Sequence, residues 1–169
     1  PGLAAARWNE ALALLRQGRF AAGWPLYEWR FRALAGQRLV RDYPEPRWAR
    51  GVPLAGRTLF LHYEQGLGDT LQMLRYVPVL AAEAARVIVE VPPSLARLAA
   101  SLAGDPVVLV EGEPPPPFDL QCPLMSVPGA LGTTLDTIPA DVPYLQAPAA
   151  EAAAWAARLG PRVRRRIGL

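Results

Sequence analysis

The sequence predicts an α/β fold, an open parallel sheet preceded by a helical hairpin. Three observations carry that prediction. Four short apolar runs, at 58–61, 86–91, 107–110 and 118–121, alternate with stretches of helical spacing. Hydrophobic residues make up 51% of the 169 and charged residues only 20%, enough to bury a core and too apolar for a disordered tail. With 19 prolines and 14 glycines the chain is too punctuated for a helical bundle and suits many short elements joined by turns.

Residues 4–32 read as two helices. Trp8, Ala11, Leu12 and Leu15, then Trp24, Tyr27 and Phe31, recur at helical spacing, and Gly18 stands where the first helix stops. A helix, a glycine turn and an aromatic two residues later outline a tetratricopeptide-like hairpin, assigned to 1–35. Residues 36–57 form a connector rich in Arg and Pro, which Trp48 and Leu54 pin to a neighbouring surface. The run 58–61 is the first strand, and 70–85 is a helix with Leu71, Leu74, Val77 and Ala81 on one face. The β-branched run 86–91 is the second strand, and Ser94 is placed to cap a helix reaching 102. The third strand is 107–110, and the fourth, 118–121, follows the prolines at 114–117. A short helix around 127–131 and another over 149–159, with Trp155 on its apolar face, complete the pattern. Strands separated by helices at these intervals pair in parallel through right-handed crossovers, a Rossmann-like arrangement covering 58–160. Residues 161–169, with Arg162–Arg166 leading into Ile167, read as the start of a truncated second domain.

Composition removes several chemistries. No lysine occurs, so Schiff-base catalysis is excluded. One cysteine, Cys122, forbids an internal disulfide and a cysteine-based zinc site, and one histidine, His62, forbids a polyhistidine metal centre. The net charge of +3 is the residue of unlike blocks: +5 over 1–50, −7 over 51–157 and +5 over 158–169. With an acidic centre and no aromatic–basic stripe, nucleic-acid binding is not expected. No apolar run reaches 18 residues, so the expectation is a soluble cytoplasmic protein without a transmembrane segment.

Chemistry concentrates in 61–75, LHYEQGLGDTLQMLR, between the first strand and the first helix of the sheet. Ligands of open α/β sheets lie outside the carboxyl ends of strands, where helix N-termini offer N–H groups. His62, Glu64, Gln65, Asp69 and Thr70 crowd into nine positions, and Gly66 and Gly68 allow close backbone approach. Leu71 stands where a dinucleotide fingerprint needs its third glycine, and Asp69 would repel a pyrophosphate. Asp69 suits a base that takes a proton from a hydroxyl, an acceptor for a sugar, or a first-turn acid that caps its helix. His62 reads as a base, a donor or a structural strand-end residue, and Glu64 as a substrate contact or the partner of Arg75. Cys122, before Pro123, reads as a buried thiol.

The segments GRFAAGWPLYEWRFR at 18–32, EQGLGDTLQMLRYVPVL at 64–80, RVIVEVPPSLARL at 86–98 and FDLQCPLMSVPGALGTTLDTIP at 118–139, with PYL at 143–145, carry a resemblance. They resemble bacterial tetratricopeptide-repeat proteins fused to a glycosyltransferase-like domain, related to the ADP-heptose:lipopolysaccharide heptosyltransferases of GT-B fold. The resemblance implies the N-terminal, acceptor-side half of an inverting, metal-independent glycosyltransferase. A nucleotide sugar would be the donor substrate, with no further cofactor, and a sugar or other hydroxyl the acceptor. Asp69 matches the family's catalytic base, with His62 beside it. Glu64, Gln65, Gly66, Gly68 and Thr70 would orient substrate. The donor would bind chiefly to a C-terminal Rossmann domain, leaving the isolated piece inactive. Two departures stand out: Pro78 falls later in the helix than the family's proline, and the loop is HYEQG rather than short and Ser/Thr-rich. The alternative is a non-catalytic scaffold, with the helical repeats holding a protein partner and the glycosyltransferase-like domain degenerate. A small nucleotide-binding regulator is a third reading.

Overall fold

The computed structural model describes residues 2–35 and 41–161. Helix α1 (Gly2–Arg16) turns back at Gly18, whose φ of +74° lies in the left-handed region that glycine adopts without strain. Helix α2 (Phe20–Tyr27) then packs against α1 so closely that a Cβ on Gly23 would stand 2.7 Å from Leu15 Cδ2. One continuous second helix was the expectation; instead Glu28 and Trp29 separate α2 from the four-residue α3 (Arg30–Ala33).

Strands β1 (Thr58–His62), β2 (Arg86–Val91), β3 (Val107–Val110) and β4 (Leu120–Pro123) form one parallel sheet in the order β3-β2-β1-β4. β1 is central, with Phe60 opposite Ile88 of β2 and His62 opposite Pro123 of β4. The chain builds outward from β1 through β2 to β3, then crosses to the far side of β1. That order is compatible with a Rossmann-like open sheet.

The expected helix over 70–85 is two pieces, α4 (Leu67–Leu74) and α5 (Val77–Ala81). Pro78 has no N–H to donate back to the preceding turn, so it starts a helix better than it continues one. Ser94 makes no cap; it lies inside a 3₁₀ turn (Pro93–Leu95) that leads into α6 (Ala96–Ala99). α7 (Val127–Leu131) and α8 (Ala149–Leu159) fall where the spacing put them. β4 begins two residues later than expected, because Asp119 turns back to accept the Thr58 backbone N–H at 2.7 Å. The residues 162–166 and most of the segment 161–169 lie outside the described residues.

The two sheet faces are covered differently. Leu59, Leu61, Val87 and Val89 meet Leu74, Val77 and Leu80 from the crossover helices. Phe60, Ile88 and Leu109 on the opposite face are covered by Tyr43, Val107 and Phe118. No helix among the described residues serves there, and the β3–β4 link, with four consecutive prolines at Pro114–Pro117, cannot supply one. Tyr43 of the connector and Phe118 of that link do the work there, while Trp48 and Leu54 are buried as expected, at 5% and 3% exposure, in the core of the first face. The connector backbone also pairs with β4, Trp48 donating to the Gln121 carbonyl at 2.7 Å and Gln121 to the Pro46 carbonyl at 3.1 Å. The outer edge of β4 is thereby closed.

Candidate functional site

β2 and β4 flank β1 on opposite sides, and the loops that leave the carboxyl ends of β1 and β4, where an open α/β sheet holds its ligand, border a crevice across which Met125 N–H meets Glu64 Oε1 at 3.0 Å. Residues 63–66 form one lip and Leu124–Ser126 the other. The crevice is occupied by a side chain of the N-terminal helices.

Arg30, at the start of α3, is completely buried. Its Nη2 donates to Glu64 Oε1 at 2.8 Å and to Ser126 Oγ at 2.6 Å, and its Nε donates to Glu64 Oε2 at 3.3 Å. Nη1 reaches Glu28 Oε1 at 2.8 Å. The guanidinium also lies over the Phe31 ring, 4.0 Å from its centroid. Arg47 extends the cluster, donating to Glu28 Oε2 and to Ser126 Oγ. Met125 N–H completes Glu64 Oε1 at 3.0 Å. Burial works against the Arg30 cation, but Glu64 and Glu28 outweigh it and lift its pKa further above neutrality. Burial likewise pushes the Glu64 carboxyl up, with Arg30 pulling it the other way. Since a guanidinium does not deprotonate in water-accessible pH, the positive half of the pair is fixed. Burial also opposes the Glu28 carboxylate, and Arg30 with Arg47 overcomes it, holding Glu28 below the usual carboxylate range.

Glu64 thus pairs with Arg30 and not with Arg75, which donates to the Pro139 carbonyl at 2.6 Å. Gln65 Nε2 donates to the Tyr27 hydroxyl at 3.3 Å, a second tie to the helices. His62 is 1% exposed, its Nε2 hydrogen-bonded to Gln121 Oε1 at 3.0 Å. Its Nδ1 has no partner among the described residues. Burial drops the imidazole pKa to about 4, so it is neutral near pH 7. Thr70 faces inward, donating to the Gly66 carbonyl at 3.0 Å to close the first turn of α4.

Asp69 is different. It sits in the first turn of α4, where its Oδ2 accepts the Gly66 N–H at 3.1 Å. Oδ1 has no hydrogen-bond partner among the described residues, and the neighbouring Gly66, Leu67 and Gly68 are exposed. Gly66 has an ordinary extended backbone (φ −74°, ψ 171°), so dihedral freedom is not its contribution; a Cβ there would come within 3.2 Å of Asp69 Oδ2. A Cβ on Gly68 would meet nothing within 4 Å, leaving open space above the first turn. Cys122 is fully buried and its thiol pushed up to about 12, as inert as expected.

The structure therefore divides the candidate residues. Gly66 and Gly68 make an exposed helix start beside the half-buried Asp69, while His62, Glu64, Gln65 and Thr70 are engaged inside the protein. Arg30, Arg47 and Ser126 escaped the sequence reading. Their partners lie up to 98 positions away, between Glu28 and Ser126, and nothing local marks that contact.

Fold and crevice together define a parallel α/β protein whose N-terminal helices reach into the switch point of its sheet. No protein-family description matches the chain, and no solved structure matches it. It is similar to Protein FlbA of Caulobacter vibrioides, 36% identical over 76 residues, which is 45% of this chain and 13% of FlbA. The chain thus corresponds to a small part of that relative's length. No helix among the described residues is long and apolar enough to cross a membrane.

Proposed function

We propose that this chain is the acceptor-side half of an inverting, metal-independent glycosyltransferase of GT-B type, with a tetratricopeptide-like helical pair built onto it. The single observation that carries the reading is Asp69: beside the switch point, anchored through one oxygen and open at the other, it is the acid of the loop that keeps access to solvent. A base that takes a proton from an acceptor hydroxyl needs that combination of fixed orientation and a free lone pair. Gly66 and Gly68 keep the approach to it clear. His62 and Glu64 act through position: His62 holds β1 to β4, and Glu64 fixes the loop to Arg30. Donor binding falls to a second Rossmann-like domain, and the reaction joins an acceptor oxygen to the sugar carbon while the nucleotide leaves.

The same ties favour a second reading. Two titratable side chains of the loop, His62 and Glu64, serve the protein's own interior, which is what a scaffold descended from an enzyme would retain. Turnover separates the two. The full-length protein incubated with a panel of nucleotide sugars should release nucleotide, faster when the hydroxyl acceptor is present. No release with any donor would leave the scaffold reading in its place.

A further inference from the structure

A cavity of about 610 Å³ lies between α2, the connector at 47–50 and α7. None of residues 62–70 lines it, so it is separate from the helix start that carries Asp69. Its walls include Trp24, Trp48, Glu28, Arg47, Arg50 and Ser126. Both indole N–H groups are committed inside the protein, Trp24 to the Thr133 carbonyl at 2.8 Å and Trp48 to the Val52 carbonyl at 2.9 Å. Trp48 is nearly buried, and what the half-buried Trp24 offers a ligand is carbon surface.

The charges are unequal. Arg30 pairs with Glu64 and Arg47 with Glu28, leaving Arg50 with no carboxylate partner among the described residues. Arg50 is exposed, and its guanidinium lies beside Gly132, where a Cβ would stand 3.0 Å from its Cζ. The φ of +68° at Gly132 is left-handed, which is what requires glycine there. Ser126 Oγ already donates to Glu28 and accepts from two guanidinium groups, so it is saturated. Glu28 Oε2 accepts only from Arg47 and retains room for one more donor.

We propose that this cavity binds a sugar ring bearing one anionic group, a sugar acid or a sugar phosphate. The anion is paired bidentately by Arg50, a ring hydroxyl donates to Glu28 Oε2, and the C–H face of the ring lies against Trp24. Carboxylate and phosphate satisfy the same fork, so both sources are tested.

Binding is measured by ligand-observed NMR and calorimetry on the chain with glucuronate, glucose 1-phosphate and neutral glucose, without any donor or turnover. At least one of the two anionic sugars should bind, and glucose should bind about tenfold to a hundredfold more weakly, the worth of one charge-assisted contact. Arg50→Ala should reduce binding of the anion to the level of glucose. Should that variant melt early, Arg50→Gln, which keeps a longer uncharged side chain at the position, carries the same expectation. Whichever anion binds names the source. Binding of neither anion, glucose binding as tightly as the anions, or undiminished binding by a folded Arg50 variant overturns the proposal. Each of these results leaves the transfer reading at Asp69 untouched.

Discussion

Without the Arg30 guanidinium, the Glu64 side chain, 1% exposed, would retain one backbone N–H from Met125 and nothing to balance its charge. Breaking a buried pair from one side is among the costliest single changes a protein can suffer, about 3–5 kcal/mol. Arg30→Met should therefore lower the stability measured by urea unfolding by that amount, and adding Glu64→Leu should recover part of it. A single variant within about 0.5 kcal/mol of the parent would show the pair to be incidental. His62 makes a pH-dependent claim. Its folded pKa of about 4 lies below the ordinary 6.5, so the unfolded chain takes up a proton first. Stability is then full above about pH 6.5 and falls as the pH drops toward 4, by at most about 3 kcal/mol from this residue. Burial dominates, Gln121 opposes it, and Arg41, Arg47 and Arg30 add to it. His62→Gln should flatten urea-unfolding stability between pH 6.5 and 4; an unchanged slope would place the titrating group elsewhere. Neither residue's role could be read locally. The sequence marked His62 and Glu64 as titratable, but not that Gln121 and Arg30, 59 and 34 positions away, would hold them.

Among the elements, the sheet was the most legible, because continuous β-branched runs such as RVIVEV have one place to go when both faces are buried. Helix bounds were less so. Pro78 splits what spacing alone read as one helix, and the prolines at 114–117 gave no hint that Tyr43 and Phe118 would replace a helix on the second face. The turn before β3 illustrates how tightly elements meet: Gly104 has φ +88°, and a Cβ there would stand 2.5 Å from Ala81 Cβ. Gly104→Ala combines backbone strain with a clash against α5 and should cost about 2 kcal/mol or more by thermal or chemical denaturation. A near-neutral result would mean that α5 yields. Helix α8 is the opposite case. It has no buried residue, Trp155 is 56% exposed, and an ion pair from Glu151 to Arg97 ties it to α6. Trp155→Ala should change stability by less than about 0.5 kcal/mol, whereas Phe60→Ala, from the fully buried second face, should cost about 3–5.

At the scale of the molecule, the helical pair and the sheet interlock through Arg30, Gln65–Tyr27 and Trp24–Thr133. Sequence division at 35 and 57 describes where composition changes; the ion cluster crosses both positions. The functional account rests on a smaller feature, the open oxygen of Asp69 at the edge of the crevice. Its direct test is Asp69→Asn in the full-length protein, with transfer rate and melting curve measured together. The account predicts that kcat/KM falls by about 10²–10⁴-fold while the melting temperature barely moves, since the Asn amide oxygen can still accept the Gly66 N–H. Undiminished transfer, or a loss of transfer matched by a loss of folded protein, would contradict it and leave Asp69 as a helix cap.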